Sequence, residues 1–272
     1  MKKVDFYEAC RVPTSLYDES YAKVNIDWLL AKKIYEQEEK SIDLYHDDKI
    51  EQAGIPYYIH FIWLGSELPK KYENVIQSWR INNPKHNVFI WGDKEIDQFM
   101  SDYASDDFRK LFDSCENFGQ KSDILRYLIL ANVGGVYSDI DFMCVDNIED
   151  LHNVNFFAGI CLERDLQLNN GLIGCAAGHE IMTNVIKRID LKGFQHIECP
   201  HTRTLFQTGP WALTDAVKKY IFDCDKCPND ITLWPPNYFH PFPASKRHDG
   251  KWEDYVKDYS LACHLWHCSW QK

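Results

Sequence analysis

The chain has 272 residues, 45% of them hydrophobic and 14% aromatic, enough to bury one large core, so disorder is excluded. Its net charge of −11 argues against a nucleic-acid partner or an anionic membrane surface, since phosphate binding without a metal relies on clustered Lys and Arg. No apolar run approaches the roughly 20 residues that span a bilayer, and the opening MKKVDFYEACRV lacks the apolar core of a secretory signal, so a cytoplasmic location without a transmembrane segment is expected.

In chain order, NIDWLLAKKIYEQEEKSIDLY places apolar Ile26, Leu29, Leu30 and Ile34 at helical spacing. Residues 1 to 54 therefore read as an N-terminal helical extension of one or two helices, ending near Gly54-Ile55-Pro56. From Tyr57 short strands alternate with helices: YYIHFIWLG and HNVFIWG read as strands, PKKYENVIQSWRINN and DKEIDQFMSDY as helices. KSDILRYLILANVGG follows as a helix with the stripe Ile124, Leu125, Leu128, Ile129, halted by Gly134-Gly135, and GVYSDID as the next strand. Such alternation predicts an α/β fold with a largely parallel sheet over residues 55 to 272.

Two carboxylates stand two apart at the end of that strand, Asp139 and Asp141, so strand geometry puts both on one face. Like charges that close need a proton or a cation between them, or else a solvated turn. The carboxyl end of a sheet strand is where α/β folds place their ligands. On the preceding helix Asp123 and Arg126 share a face, either as an ordinary ion pair or as a guanidinium and a carboxylate for phosphate and sugar oxygens.

The blocks IPYYIHFIWLG, SWRINNP, KSDILRYLILANVGGVYSDIDF, QTGPWALT and HLWHCSW, in this order over roughly residues 55 to 270, resemble the Asp-x-Asp sugar-binding glycosyltransferase family. That family includes a yeast initiating α-1,6-mannosyltransferase, bacterial capsular polysaccharide transferases and, more distantly, the glucosylating clostridial toxins. The resemblance implies a GT-A (Rossmann-like) nucleotide-sugar-binding fold and retaining transfer of a hexose from a nucleotide diphosphate sugar with Mn²⁺ or Mg²⁺. By the same resemblance Trp63 stacks on the donor base, Asp123 and Arg126 contact the donor sugar and phosphate, and Tyr137 lines the nucleotide. Asp139 and Asp141 match the metal motif, the second as direct ligand and the first reaching ribose or the metal through water. His264 matches a third metal ligand with His267 as its rival; an imidazole suits Mn²⁺. Ser269 and Trp270 match a tail that closes over the diphosphate, and Asn170, with Asn169 as equal neighbour, a polar residue near the anomeric carbon. A UDP-hexose donor is favoured over GDP-mannose, with a glycan or glycoconjugate as acceptor.

Three other readings stay open on the residues alone. Paired carboxylates also serve glycoside hydrolases, although those flank a sugar cleft at a separation of several ångströms. The fold can persist as a nucleotide-sugar-binding module without turnover. Cys224 and Cys227, with Cys263, His264, His267 and Cys268, contain the ligand types of a zinc-stabilised interaction protein, without the tight second pair of a zinc ribbon. Most other cysteines, such as Cys144, Cys161 and Cys175, sit singly in apolar segments, as free thiols of a reducing compartment do. With no membrane anchor and no toxin translocation region, a stand-alone transferase of bacterial or viral origin is expected.

Overall fold

The computed structural model describes residues 1–37, 54–161, 163–224 and 228–267. Three short helices open the chain, α1 (Phe6–Cys10), α2 (Glu19–Ala22) and α3 (Ile26–Glu36). The α3 stripe differs from the sequence expectation. Its buried residues are Trp28, Ala31, Ile34 and Tyr35, whereas Ile26 and Leu29 are exposed. Ring size decides the face: Trp28 and Tyr35 pack with Phe6, and Tyr35 continues onto Trp234 and Tyr238, so the helix turns its aromatic edge inward. Phe6, Trp28 and Tyr35 belong to the same buried cluster as the central strands.

The α/β part supplies β1 (Tyr58–Ile62), α4 (Glu73–Asn82), β2 (Asn87–Trp91), α5 (Asp93–Tyr103), α6 (Asp106–Asp113), α7 (Phe118–Asn132), β3 (Gly135–Ser138) and β4 (Phe142–Cys144). There follow β5 (Phe156–Ile160), β6 (Leu168–Cys175), α8 (Glu180–Arg188), α9 (Pro200–Gln207), α10 (Pro210–Asp223), β7 (Ile231–Trp234) and β8 (Ala262–His264). One sheet runs in the order β2-β1-β3-β6-β5-β7. Its strands are parallel except β6, which runs against both β3 and β5. Because β6 is reversed, its first residues lie at the carboxyl end of β3, with Ser138 opposite Leu172. A second, two-stranded sheet pairs β4 with β8, Phe142 opposite His264.

The Asp-x-Asp motif is not on a strand. β3 stops at Ser138, and Asp139 to Asp141 form the turn into β4, closed by the Phe142 N–H donating to the Asp139 carbonyl at 3.1 Å. Strand alternation therefore does not align the two carboxylates; the turn between two sheets does. Trp79 of α4, fully buried, holds β4 in place by donating its indole N–H to the Phe142 carbonyl at 2.7 Å. Asn82 adds a bond to the Cys144 carbonyl at 3.2 Å. Thus SWRINN serves to fix the strand that leaves the acidic turn. Upstream, Gly134 and Gly135 end α7 at φ 69° and 105°, and a side chain at Gly134 would meet the Ala177 backbone nitrogen at 2.7 Å.

His60, wholly buried on β1, accepts from the Trp91 indole at Nδ1 (3.1 Å) and donates from Nε2 to the Gly134 carbonyl (2.9 Å). A proton on Nδ1 would cost the first bond and bury a charge, and burial lowers its pKa to about 4. Since the unfolded imidazole titrates near 6.5, the stability it contributes is complete above that pH and is lost as pH falls toward 4. Urea unfolding between pH 7 and 4 is expected to show this decline, and His60→Gln to flatten it by up to about 3 kcal/mol.

Candidate functional site

A cavity of about 590 Å³ opens at the carboxyl ends of β1 and β3. Residues from the turn after β1, from α7, from the acidic turn, from the start of β6 and from the end of β8 line it. Of the residues singled out in the sequence, it brings together Trp63, Asp123, Arg126, Asp139, Asp141, Asn170 and His264. Ser269 and Trp270 lie outside the described residues.

Arg126 is the hinge of the arrangement. Its guanidinium, 4% exposed, lies 3.2 Å from Asp123 Oδ1 and 3.1 Å from Asp139 Oδ1, and donates to the Asn170 carbonyl at 2.7 Å. It is thus a buried cation between two carboxylates, one from its own helix and one from the acidic turn. Burial alone would lower its pKa, but Asp139, Tyr137 and Asp123 outweigh that and raise it, so it stays charged. The Tyr137 ring lies beneath it, 4.4 Å from guanidinium carbon to ring centroid, and the Tyr137 hydroxyl donates to Asp139 Oδ1 at 2.6 Å. Tyr137 is 2% exposed and is not among the residues lining the cavity. β3 turns that side chain under Arg126, where it positions the guanidinium and Asp139.

Asp123 accepts from the Thr208 hydroxyl at 2.7 Å and the Asn170 amide at 2.8 Å. Burial pushes its pKa up to about 6, against the pull of Arg126 and these two donors. Thr208, in the QTGPWALT block between α9 and α10, and Tyr127, whose hydroxyl donates to the Thr208 carbonyl at 2.8 Å and accepts from Asn170 at 2.9 Å, complete the network. Neither carries a local sequence signal of its own beyond the place of Thr208 in the QTGPWALT block. Asn170 is tied back by these bonds. Asn169 lines the same cavity, its Oδ1 accepting from the Gly171 N–H at 2.7 Å, while its amide nitrogen has no hydrogen-bond partner among the described residues.

At the other end of the acidic turn, Asp141 Oδ1 lies 3.2 Å from His264 Nε2, and its Oδ2 accepts the His267 backbone N–H at 2.8 Å. Of the two rival histidines, His264 thus brings its ring to the carboxylate and His267 its backbone. The His264 ring is stacked on Phe142 at 4.3 Å and held by Trp266 at 4.0 Å; Trp266 has φ 57°, unusual for so bulky a residue. Burial would raise the Asp141 pKa, but His264 and the His267 N–H hold it down at about 2. Asp139, by contrast, is raised by burial, with Arg126 opposing. A side chain at Gly171 would come within 2.5 Å of Asp139 Oδ2, so glycine there makes room for the carboxylate.

The three groups expected to hold a cation do not form one cluster. Among the described residues no three His, Cys, Asp or Glu side chains converge as a metal cage. Asp139 Oδ1 is engaged by Arg126 and Tyr137, which leaves Asp141 and His264 as the converging donors. One carboxylate and one imidazole still fit a cation that takes its remaining ligands from water and substrate phosphate, as Mg²⁺ and Mn²⁺ do. Among the described residues the zinc alternative finds no cluster; Cys263 is buried in β8, Cys224 follows α10, and Cys227 and Cys268 lie outside them.

Trp63 follows β1, half-buried, its ring 5.3 Å from Tyr72 and its indole N–H on the Ser66 hydroxyl at 3.1 Å. No helix among the described residues is long and apolar enough to cross a membrane.

Residues 69–157 match the family model of the glycosyltransferase sugar-binding region containing the DXD motif. An uncharacterized glycosyltransferase of Acanthamoeba polyphaga mimivirus is 29% identical over 195 residues, 69% of this chain and 73% of its own. Inositol phosphoceramide mannosyltransferase 3 of Schizosaccharomyces pombe is 27% identical over 165 residues, and the subversion of eukaryotic traffic protein A of Legionella pneumophila 28% over 263. These matches take in 60% and 76% of this chain but only 45% and 40% of the two relatives, so the chain spans less than half of either. The solved PaToxG glycosyltransferase superposes with a TM-score of 0.50 at 21% identity, over 64% of this chain and 72% of that one. The fold is therefore that of the GT-A glycosyltransferases, and the acidic turn lies within the residues that match the DXD-containing region.

Proposed function

From a chain with the GT-A fold and the DXD sugar-binding region, we propose a metal-assisted retaining hexosyltransferase that moves a sugar from a nucleotide diphosphate donor to a glycan or glycoconjugate hydroxyl. The observation that carries this reading is the buried Arg126, held between Asp123 and Asp139 in the cavity that also contains the Asp141–His264 pair. Arg126 and Asp123 would orient the donor sugar and its phosphate, Trp63 would stack on the base, and Asp139 would reach ribose or a metal-bound water. Asn170, or Asn169 with its unengaged amide, would stand near the anomeric carbon. Asp141 and His264 would hold Mn²⁺ or Mg²⁺, which when bound neutralises the diphosphate as its charge develops.

In the transfer, the acceptor oxygen bonds to the anomeric carbon on the face that the diphosphate leaves. The bond from that carbon to the phosphate oxygen breaks, its electron pair stays on that oxygen, and the acceptor proton passes to it. A UDP-hexose is the preferred donor, and GDP-mannose the competitor, given a fungal relative named as a mannosyltransferase. Cys10, Cys115, Cys144, Cys175, Cys199 and Cys263 carry free thiols, in keeping with a reducing, cytoplasmic setting.

The test is a panel of UDP-glucose, UDP-galactose, their N-acetyl forms and GDP-mannose, each with the protein and Mn²⁺, followed by nucleoside diphosphate release. One UDP-sugar is expected to be turned over, and EDTA to stop the release. Turnover of GDP-mannose alone would reassign the donor. Binding without release would leave the binding module, and neither binding nor release would remove the reading.

A further inference from the structure

We infer that the loop between α1 and α2, together with residues 163–167 and 243–245, forms the acceptor subsite of this cavity, and that it takes a neutral saccharide hydroxyl. The inference rests on the transferase reading and names the second substrate class for the same site.

The loop is held in an unfavourable shape. Val12-Pro13-Thr14-Ser15 makes a turn in which the Ser15 N–H and hydroxyl both donate to the Val12 carbonyl, at 3.3 and 2.8 Å. Thr14 has φ 60°, a conformation rare for a β-branched residue, at the position after proline where turns usually place glycine. Two contacts to the far end of the chain hold it: Thr14 Oγ1 to Ser245 Oγ at 2.8 Å, and the Asn237 amide donating to the Arg11 carbonyl at 3.0 Å. Strain of this kind persists where the surroundings over-determine it, and it concentrates at binding sites. Its result is to set Thr14, Ser15 and Leu16 into the cavity lining, with Leu16 65% exposed.

Helices α2 and α3 anchor residues 163–167. Tyr21 donates to Asp165 Oδ1 at 2.8 Å, the Trp28 indole to the Arg164 carbonyl at 3.0 Å, and the Arg164 guanidinium lies 4.7 Å over the Tyr21 ring. That segment presents Glu163 and, next to β6, Gln167 to the cavity. Gln167 is 8% exposed, and its side-chain amide has no hydrogen-bond partner among the described residues. The amide opens onto the cavity and is not sealed from solvent, so it is available to a ligand that both donates and accepts, as a sugar hydroxyl does.

Charge disfavours anionic acceptors. Among the described residues that line the cavity, Arg126 is the one Lys or Arg, and it is engaged by Asp123, Asp139 and the Asn170 carbonyl. Asp123, Asp139, Asp141 and Glu163 share that lining. A phosphate or carboxylate on the acceptor would meet four carboxylates and no unengaged cation. A neutral sugar instead finds hydroxyls, an amide, a carboxylate and, at Leu16, an apolar platform for its C–H face.

The experiment uses the donor identified by hydrolysis and offers methyl glycosides of glucose, galactose, mannose and N-acetylglucosamine, their 6-phosphates, and Ser- and Tyr-containing peptides. Sugar transfer and free-sugar release are both followed by mass spectrometry. Neutral glycosides are expected to be glycosylated, and the 6-phosphates and peptides not. The ratio of transfer to hydrolysis is expected to fall about tenfold in Gln167→Ala and, separately, in Leu16→Ala, an exposed position whose truncation leaves the fold intact. Transfer to phosphorylated glycosides or peptides at equal or higher rate overturns the inference, as does an unchanged ratio in both variants. Donor hydrolysis without transfer to any neutral glycoside overturns it alone and leaves the transferase standing; no hydrolysis of any donor overturns both.

Discussion

Asp141→Asn is expected to lower metal-dependent nucleoside diphosphate release by about 10³-fold or more, the scale seen when a group that stabilises developing charge is removed. Asparagine keeps the shape and one oxygen for the His267 N–H, so the backbone bond at 2.8 Å can survive. What it loses is the negative charge beside His264, 3.2 Å away, and with it the carboxylate donor of the Asp141–His264 pair. Mn²⁺ binding, followed by the EPR signal of the free ion, is expected to weaken in parallel, while the thermal midpoint stays within a few degrees of the parent. Loss of release with unaltered Mn²⁺ affinity would move the cation away from Asp141. Retained metal-dependent release would remove the pair from the mechanism altogether.

The contrast with Asp139 sharpens that expectation. The two carboxylates are neighbours in sequence and look equivalent there, yet their surroundings differ. Asp139 is bonded to Arg126 and Tyr137 and is raised by burial; Asp141 faces an imidazole and a backbone N–H and is held at about 2. Both are engaged by the protein, Asp139 by a guanidinium and a phenol and Asp141 by an imidazole and a backbone N–H, so their charges are balanced by different groups. Spacing cannot show this, because the difference comes from α7 and β8, which are brought to the turn only by the fold.

The alternation of strands and helices from Tyr57 onward was legible because each element carries its own period and its own stop signal, such as Gly134-Gly135 after α7. Less legible was the end of β3. The alternating pattern of GVYSDIDF continues past Ser138, and only the pairing of β4 with β8 shows that the chain leaves the first sheet there. The α3 stripe was misread for a related reason: counting apolar positions ranked Ile26 and Leu29 with Ile34, whereas packing selected the aromatic side chains that reach Phe6 and Trp234. Of the cavity, the Asp123–Arg126 pair and the acidic motif were visible as local patterns. Thr14, Leu16 and Gln167 were not, since no local pattern ties a turn near the N-terminus to a loop some 150 residues later; Tyr21 and Trp28 make that link in three dimensions.

Arg126→Met is expected to cost about 3–5 kcal/mol of stability, the range for removing one partner from a buried ion pair, and to abolish donor turnover as well. The side chain is 4% exposed and balances Asp123 and Asp139 at once, so methionine fills the volume and leaves the buried Asp123 and the half-buried Asp139 without their cation. Asp123 already titrates near 6 with the guanidinium present; without it the carboxyl rises further and takes a proton at neutral pH. The sign follows from linkage: a carboxyl raised in the folded state destabilises more as pH increases through its folded pKa, so the deficit of Arg126→Met is expected to be smaller at pH 5 than at pH 7.5. Asp123→Asn, which keeps an oxygen for Thr208 or for Asn170, should cost less alone. Combined with Arg126→Met it should recover part of the loss, a coupling of at least about 1.5 kcal/mol in a urea-unfolding cycle. If the two costs simply add, the 3.2 Å contact contributes no net stability, and Arg126 is kept buried for the donor phosphate alone. If they couple, one guanidinium both holds α7 to the acidic turn and presents the site, so that loosening the ion pair disorders the donor-binding geometry even in molecules that remain folded.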